Sequence, residues 1–333
     1  MTDQALNWGI LGAASFALEH MGPAIHAAQG ATLAAVASRG LRNLAAFQAL
    51  VPDIRTYSGD DAYMALLSDP DIDAVYIPLP NHMHVNWTLK ALAAGKYVLC
   101  EKPMTLEGRE FDQLIAACDR SGLVAAEAFM ILHHPQWAYT RQLIADGAIG
   151  RLARISGAFA FDSREDVNNI RHRSETGGGA LRDIGVYTFG SARFVTGAEP
   201  EDISARIRWE NKVDAYSDVS ARFGDVEYAA YTTTRMSLFQ EMTFHGEGGL
   251  IRLTAPFNPG TYREAAVELH RDGHSVAVQK YPAVNQYVLQ VEAFGRAVRG
   301  EESFPVTLEF SKGTQCAIDT ALKNGSSLAW TQR

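Results

Sequence analysis

A chain of 333 residues exceeds one comfortable hydrophobic core, and two domains are the natural division. Its composition, 47% hydrophobic and 20% charged, is ordinary for a globular protein, and a net charge of −8 argues against a nucleic-acid binder, which needs a basic face to neutralise phosphates. Three dispersed cysteines (Cys100, Cys118, Cys316) form no C-x-x-C pair, and the first residues show no leader pattern. No stretch approaches the run of about 18 apolar residues that spans a membrane. These features set the expectation of a cytoplasmic protein with neither a membrane nor a nucleic-acid partner.

In chain order, residues 6–11 read as a buried strand that runs into G-I-L-G-A-A-S, with Gly9, Gly12 and Ala14 at the spacing G-x-x-G-x-A. Small residues there permit a tight turn and close approach of a phosphate. A helix over about 15–29 would offer that phosphate its N-terminal N–H groups. The second strand, 33–37, is followed by Ser38, Arg39 and Gly40. An NAD-binding unit places an acid near this point for the ribose hydroxyls, yet no Asp or Glu stands between Glu19 and Asp53. Arg39 and Arg42 bracket the turn instead. Guanidinium groups suit a 2′-phosphate, so the expected cofactor is NADP rather than NAD.

The alternation continues with a helix at 44–50, a strand at 54–57 and a helix at 60–67 with Ser58 or Gly59 as cap. A strand at 74–77 is closed by P-L-P-N-H, and Asn81 caps a helix that Gly95 ends. A strand at 97–100, a helix from 105 to about 120 and a strand at 123–128 complete a doubly wound parallel sheet. Within it, C-E-K-P-M-T-L at 100–106 sets Lys102 just past a parallel strand, where open α/β sheets bind ligands, and Pro103 restricts it to an extended backbone. By itself such a lysine is equally a solvated loop residue. His82, His84, His133 and His134 have no carboxylate or cysteine at ligand spacing. No metal site is expected, and neutral histidines there suit hydrogen bonding to a cofactor or substrate.

A helix at 135–146 closes on Gly147 and Gly150, and from 151 the pattern changes to period two. Segments 154–161, 203–209, 213–222, 226–234 and 238–244 predict a largely antiparallel sheet. Helices on one face would leave the other, with its Tyr, Thr, Arg and small residues, either as an oligomer interface or merely solvated. Between the first two of these strands lie a polar stretch, 162–176, and G-G-G-A-L-R-D-I-G-V-Y at 177–187. Helical periodicity from Ala180 puts Asp183 and Tyr187 at i and i+4 on one face. After a glycine run that lets a ligand approach they form an acid/base pair; alternatively Tyr187 is a core residue satisfied by the aspartate. N-Q-Y at 285–287 opens an amphipathic helix to about 299.

Taken together, G-I-L-G-A-A, P-N-H with His84, E-K-P and G-G-G-A-L-R-D-I-G-V-Y resemble the Gfo/Idh/MocA oxidoreductase family over nearly the whole chain. Ala14 replaces the usual glycine of its nucleotide loop, a mild change because alanine is still small. The resemblance implies a Rossmann domain at 1–128 that binds NADP. It also implies an α+β substrate-binding and oligomerisation domain at 129–333 with a large, mostly antiparallel open-faced sheet, and last helices that pack back on the first domain. Many members carry histidine at the position of Tyr187. The tyrosine form is similar to the subgroup of glucose–fructose oxidoreductase, NADP-dependent D-xylose dehydrogenases and dimeric dihydrodiol dehydrogenase.

Carried over, Lys102 and Tyr187 flank nicotinamide and substrate, with Asp183 nearby. The cofactor lies along Gly9, Leu11, Gly12, Ala13, Ala14, Ser38, Arg39, Arg42, Leu79, Pro80, Asn81, His84, Glu101 and Lys102. Arg164, Asn169, Arg171 and Tyr287 are candidates for the substrate. The implied reaction is hydride transfer between NADP and C1 of an aldose such as D-xylose, in a homodimer or homotetramer. Reduction of a dicarbonyl sugar such as 1,5-anhydrofructose, oxidation of a trans-dihydrodiol, or a non-catalytic NADP sensor are the alternatives. Tyr187 would take the hydroxyl proton, its phenol (normally near 10) lowered by the Lys102 ammonium. Asp183 would oppose that unless paired elsewhere.

Overall fold

The computed structural model describes residues 5–41 and 43–329. The chain divides into two compact units: one takes residues up to 105 with 109–133 and 285–311, the other 106–108, 134–284 and 312 onward.

In the first unit, β1 (Leu6–Leu11), β2 (Ala31–Ser38), β3 (Arg55–Ser58), β4 (Ala74–Ile77), β5 (Tyr97–Cys100) and β6 (Ala125–Glu127) form a parallel sheet in the order β3-β2-β1-β4-β5-β6. Helices α1 (Gly22–Ala27), α2 (Leu44–Leu50), α3 (Ala62–Leu67), α4 (His84–Ala93) and α5 (Phe111–Ser121) connect the strands. Strand order reverses between β1 and β4, and the carboxyl ends of these two strands bound the crevice where such sheets bind ligands. The central strands are mostly apolar because helices cover both faces, and Trp8, Ile10, Val75, Tyr76 and Leu99 are fully buried. Each large apolar side chain so buried contributes about 1.5–3 kcal/mol.

The second unit holds α6 (Pro135–Ala145), α7 (Val186–Thr196) and a mixed sheet. Its strands are β7 (Leu152–Asp162), β8 (Glu201–Glu210), β9 (Val213–Phe223), β10 (Val226–Thr233), β11 (Arg235–Gly246), β12 (Gly249–Leu253), β13 (Ala265–Arg271), β14 (His274–Tyr281) and β15 (Gly325–Ser327). They lie in the order β14-β13-β12-β11-β7-β10-β9-β8-β15. Pairing is antiparallel except β10 with β7 and β15 with β8. One face packs on helices, with Phe189 of α7 stacked on Tyr228 and Trp137 of α6 edge-on to Phe244. The other carries Tyr216 stacked on Tyr231, the Arg206–Asp218 ion pair and the Ser204–Ser220 hydrogen bond. The chain then adds α8 (Gln286–Val298), whose Phe294 packs on Trp8, and α9 (Leu308–Asn324). Among the described residues, no helix is long and apolar enough to cross a membrane.

The fold class matches the expectation from sequence, and several details differ. The helix expected from Thr105 begins at Phe111, after a 3-10 turn at Gly108–Glu110. The preceding backbone is committed elsewhere: the Gly108 amide donates to Asp319, and the Leu106 carbonyl accepts from Gln315, both on α9. The N-cap of α3 is Asp61, not Ser58 or Gly59. Asn81 begins a 3-10 turn, and α4 itself starts at His84. Strands β12 to β15 have no counterpart in the reading from sequence. The outermost large strand, β14, is exposed along nearly its whole length, so its residues carry no burial alternation.

Candidate active site

At the end of β1 the chain turns at Gly12, whose φ of +119° is open only to glycine, and an added Cβ would also lie 2.9 Å from Leu79. The Gly12 amide donates to the Ala37 carbonyl at the end of β2, and the Ala14 amide donates back to Gly12. Asn43, itself left-handed, donates its side-chain amide to the Ala13 carbonyl. The small-residue loop is thereby tied to the segment after β2, where Ser38 ends the strand and Arg39 is exposed. Arg42 lies outside the described residues. Gly9 serves another purpose than the sequence suggested. It sits inside β1, and a Cβ there would fall 2.6 Å from Leu66 of α3, so its missing side chain lets the helix pack on the strand.

The E-K-P segment is held by three buried partners. Glu101 accepts the Tyr76 hydroxyl at 2.5 Å and the Lys102 amide at 3.3 Å. Burial pushes its pKa up, while the Lys102 charge and the Tyr76 bond pull it back. The Pro103 carbonyl meets His84 Nδ1 at 2.8 Å, and the Met104 amide donates to Glu127 at 2.8 Å. Lys102 itself is half-buried, and its peptide bond to Pro103 is cis.

His84 is wholly buried, and its Nε2 lies 2.6 Å from the Leu79 carbonyl. Both ring nitrogens thus face carbonyls. The ring clamps the loop after β4 to the loop after β5 and has no nitrogen left for a nucleotide. Burial pushes its pKa down, and the two carbonyl acceptors oppose that shift. The other histidines also have structural settings: His134 Nδ1 accepts from the Gln136 amide at the start of α6, and burial pushes His133 down to about 3.

Tyr287, in the first turn of α8, stacks on His20 (5.4 Å between centroids) and meets Phe16 edge-on. This aromatic group stands just after the small-residue loop. In the sequence, Phe16 and His20 are marked only by an aromatic residue directly after G-A-A-S.

In the second unit the glycine run is filled by protein rather than left open to a ligand. Added Cβ atoms would lie 2.3 Å from Leu106 at Gly177, 2.4 Å from the Arg171 carbonyl at Gly178 and 2.1 Å from Asp214 at Gly179. The expected i, i+4 stacking of Asp183 and Tyr187 is also replaced. Leu181–Gly185 is a π-helical turn, and α7 begins only at Val186. The wider turn alters the angular offset between the two residues. Asp183, 7% exposed, accepts from Arg171 Nε at 2.5 Å, and Arg171 also reaches the Asn169 amide oxygen at 3.4 Å. Asn169 caps the short turn at Ile170–His172. Tyr187 is 4% exposed and lies against Phe159 and Phe257. Arg164 stays outside this group, exposed and paired with Asp162.

Residues 6–129 match the model of the oxidoreductase family with an NAD-binding Rossmann fold, and residues 137–252 match the GFO/IDH/MocA C-terminal domain. The chain belongs to the Gfo/Idh/MocA oxidoreductase family. It is 34% identical to the dTDP-3,4-didehydro-2,6-dideoxy-alpha-D-glucose 3-reductase of Streptomyces antibioticus, over 90% of each chain. It is 29% identical to D-xylose 1-dehydrogenase (NADP(+)) 2 of Haloferax volcanii, over 96% of this chain and 97% of the other. Among solved structures, the 3-ketoreductase KijD10 of Actinomadura kijaniata, in complex with NADP and TDP-benzene, superposes with a TM-score of 0.90 at 28% identity, covering 98% of this chain and 100% of that one. The same ketoreductase has been solved with a lysine replaced by alanine and with a tyrosine replaced by phenylalanine.

Proposed function

We propose that this chain is an NADP-dependent sugar oxidoreductase in which Lys102 and Tyr187 carry the acid/base chemistry. The observation that supports this reading most is the E-K-P loop, in which Tyr76, His84 and Glu127 fix the residues on either side of Lys102 at the carboxyl end of β5. The residues present fit the nucleotide. The Gly12 turn admits no larger residue at the switch point of the sheet, and the charge after β2 is cationic rather than acidic. Residues 12–14 would hold the pyrophosphate, with Ser38 and Arg39 toward the 2′-phosphate. Bound there, NADP supplies the hydride acceptor, or as NADPH the donor.

Tyr187 removes the hydroxyl proton of the carbinol in oxidation and returns it to the carbonyl oxygen in reduction. An ammonium brought beside a phenol favours the phenolate, and that is the role we assign to Lys102. The Asp183 carboxylate is met by Arg171, so its charge does not stand unopposed near Tyr187. Arg171 therefore holds Asp183 and Asn169 in turn accepts from Arg171, so both are engaged within the protein before they meet any substrate.

For the substrate, oxidation of an aldose at C1, as in a D-xylose dehydrogenase, is one reading. Reduction of a ketone on a nucleotide-linked sugar is the second, and the higher identity to the Streptomyces 3-reductase favours it. The test is to titrate NADPH and NADH, then assay both directions: NADP⁺ reduction with D-xylose and D-glucose, and NADPH oxidation with a dTDP-linked 3-keto sugar. Turnover in one direction selects that reading, and preferential NADH binding contradicts the cofactor assignment. We propose further that the helix-free face of the large sheet, around Tyr216 and Tyr231, joins copies of the chain. Light scattering of a Tyr231→Asp variant, with a shift to monomer expected, tests it.

A further inference from the structure

We propose that Asp214, buried on β9, is a positioning residue that holds the π-helical turn at Leu181–Gly185 and so sets the direction in which Tyr187 leaves α7. The inference rests on the assignment of Tyr187 above.

Four observations carry it. First, Asp214 is 1% exposed, and its Oδ2 accepts the Leu181 amide at 2.7 Å, at the first residue of the π turn. The Ser217 hydroxyl donates to the same oxygen at 3.0 Å. Second, the register of β8 on β9 slips between Arg208 and Trp209, which face Tyr216 and Asp214. The extra residue is Ala215, and such a bulge re-aims its neighbours. Asp214 and Ala215 are both buried, while Tyr216 next along is half-exposed. Third, the glycine before the helix is fitted to this carboxylate, since a Cβ at Gly179 would collide with Asp214 Oδ1. Fourth, the neighbouring charges are otherwise engaged: Asp183 faces Arg171, and Glu210 pairs with Arg208 and Arg235. Arg182 is the cation that acts on Asp214 from the turn itself.

A π turn holds one residue more than the α-helix would at that point. If the Leu181 anchor is lost, relaxation to α-helical register rotates the following residues by about 100°, one residue's share of a 3.6-residue turn. Tyr187 is the second residue after that turn. Its phenol would then point elsewhere with no change in its own chemistry, and misplacing a catalytic group by about 1 Å can cost 10²-fold.

The experiment compares Asp214→Val, Asp214→Ala, Asp214→Asn and Tyr187→Phe in the NADPH-loaded full-length protein. It reads kcat and KM with the sugar that wild type turns over, NADPH affinity, and hydrogen exchange of the peptide spanning 180–190. Valine fills the aspartate's volume and favours a strand, which keeps one variant folded if alanine does not. In Asp214→Val or Asp214→Ala, kcat is expected to fall about 100-fold, with KM and NADPH affinity within about threefold and exchange of the turn at least about tenfold faster. Asp214→Asn keeps an acceptor for the Leu181 amide and is expected to restore kcat to within about fivefold and to protect the turn. Folded Asp214→Val with near-normal kcat, or Asp214→Asn with a turn as exposed as in Asp214→Val, overturns the inference while Tyr187→Phe stays inactive. A Tyr187→Phe variant that still turns over overturns the Tyr187 assignment itself.

Discussion

The loop after β5 and the segment leading into α7 each present one key side chain, by opposite means. In the first, the residues around Lys102 are fixed by partners far along the chain, Tyr76, His84 and Glu127, at the end of a regular parallel strand. In the second, the backbone itself is irregular: three glycines admit neighbouring atoms, a π turn follows, and Tyr187 stands two residues beyond it. The difference teaches where each site is vulnerable. The lysine loop should lose activity through its side chain, the tyrosine segment also through backbone changes that leave the phenol untouched.

The largest effect expected is from the side chains themselves. Lys102→Ala and Tyr187→Phe should each lower turnover by about 10²–10⁴-fold while NADPH still binds, as stopped-flow and fluorescence titration would show. Retained turnover in either variant would break that half of the comparison. Next, Gly179→Ala should destabilise by several kcal/mol. A φ of +119° alone costs about 1–3 kcal/mol for a residue with a side chain, and the added Cβ would meet Asp214 at 2.1 Å. Calorimetry reads the drop in Tm, and an unchanged Tm would mean that the run is not filled as described.

Asp214→Asn sharpens the comparison through pH. Burial raises the Asp214 carboxyl from 3.8 to about 6 in the folded protein. The folded state therefore holds a proton that the unfolded state has lost between those values, and wild type loses stability as pH rises from about 4 to 6. The asparagine variant lacks this loss. Its unfolding free energy should exceed that of wild type above pH 6, by on the order of 2–3 kcal/mol at most, and the gap should close below pH 4. A gap that widens toward acid pH would contradict the sign. The smallest effect is expected at the cofactor's edge, where Arg39→Ala should weaken NADP⁺ about tenfold and leave NAD⁺ unchanged, because an exposed guanidinium contributes little beyond its phosphate contact.

Much of the first unit was legible because its signals are local. Buried strands that end in small residues, proline or glycine gave the doubly wound sheet, and E-K-P stood out for its place after one of them. Partners distant in sequence were not legible. Nothing near Lys102 in the chain announces Tyr76 or Glu127, and nothing near Gly179 announces Asp214, 35 residues on. For the same reason Gly9 and the run 177–179 were read as room for a ligand, when each makes room for another part of the protein. Asp183 and Tyr187 do not stand at α-helical i, i+4 spacing because a π turn intervenes, and such a turn leaves the composition of the helix unchanged and so is invisible to periodicity. The edge strand β14 escaped because it is exposed on both faces.

The most direct test of the central claim is sugar-dependent change in NADPH absorbance, in both directions, for wild type and Tyr187→Phe side by side. The account predicts turnover with NADP(H) for wild type on an aldose or a nucleotide-linked keto sugar, and its loss in Tyr187→Phe with NADPH affinity preserved. Turnover that survives in Tyr187→Phe, or a clear preference for NADH, would contradict it.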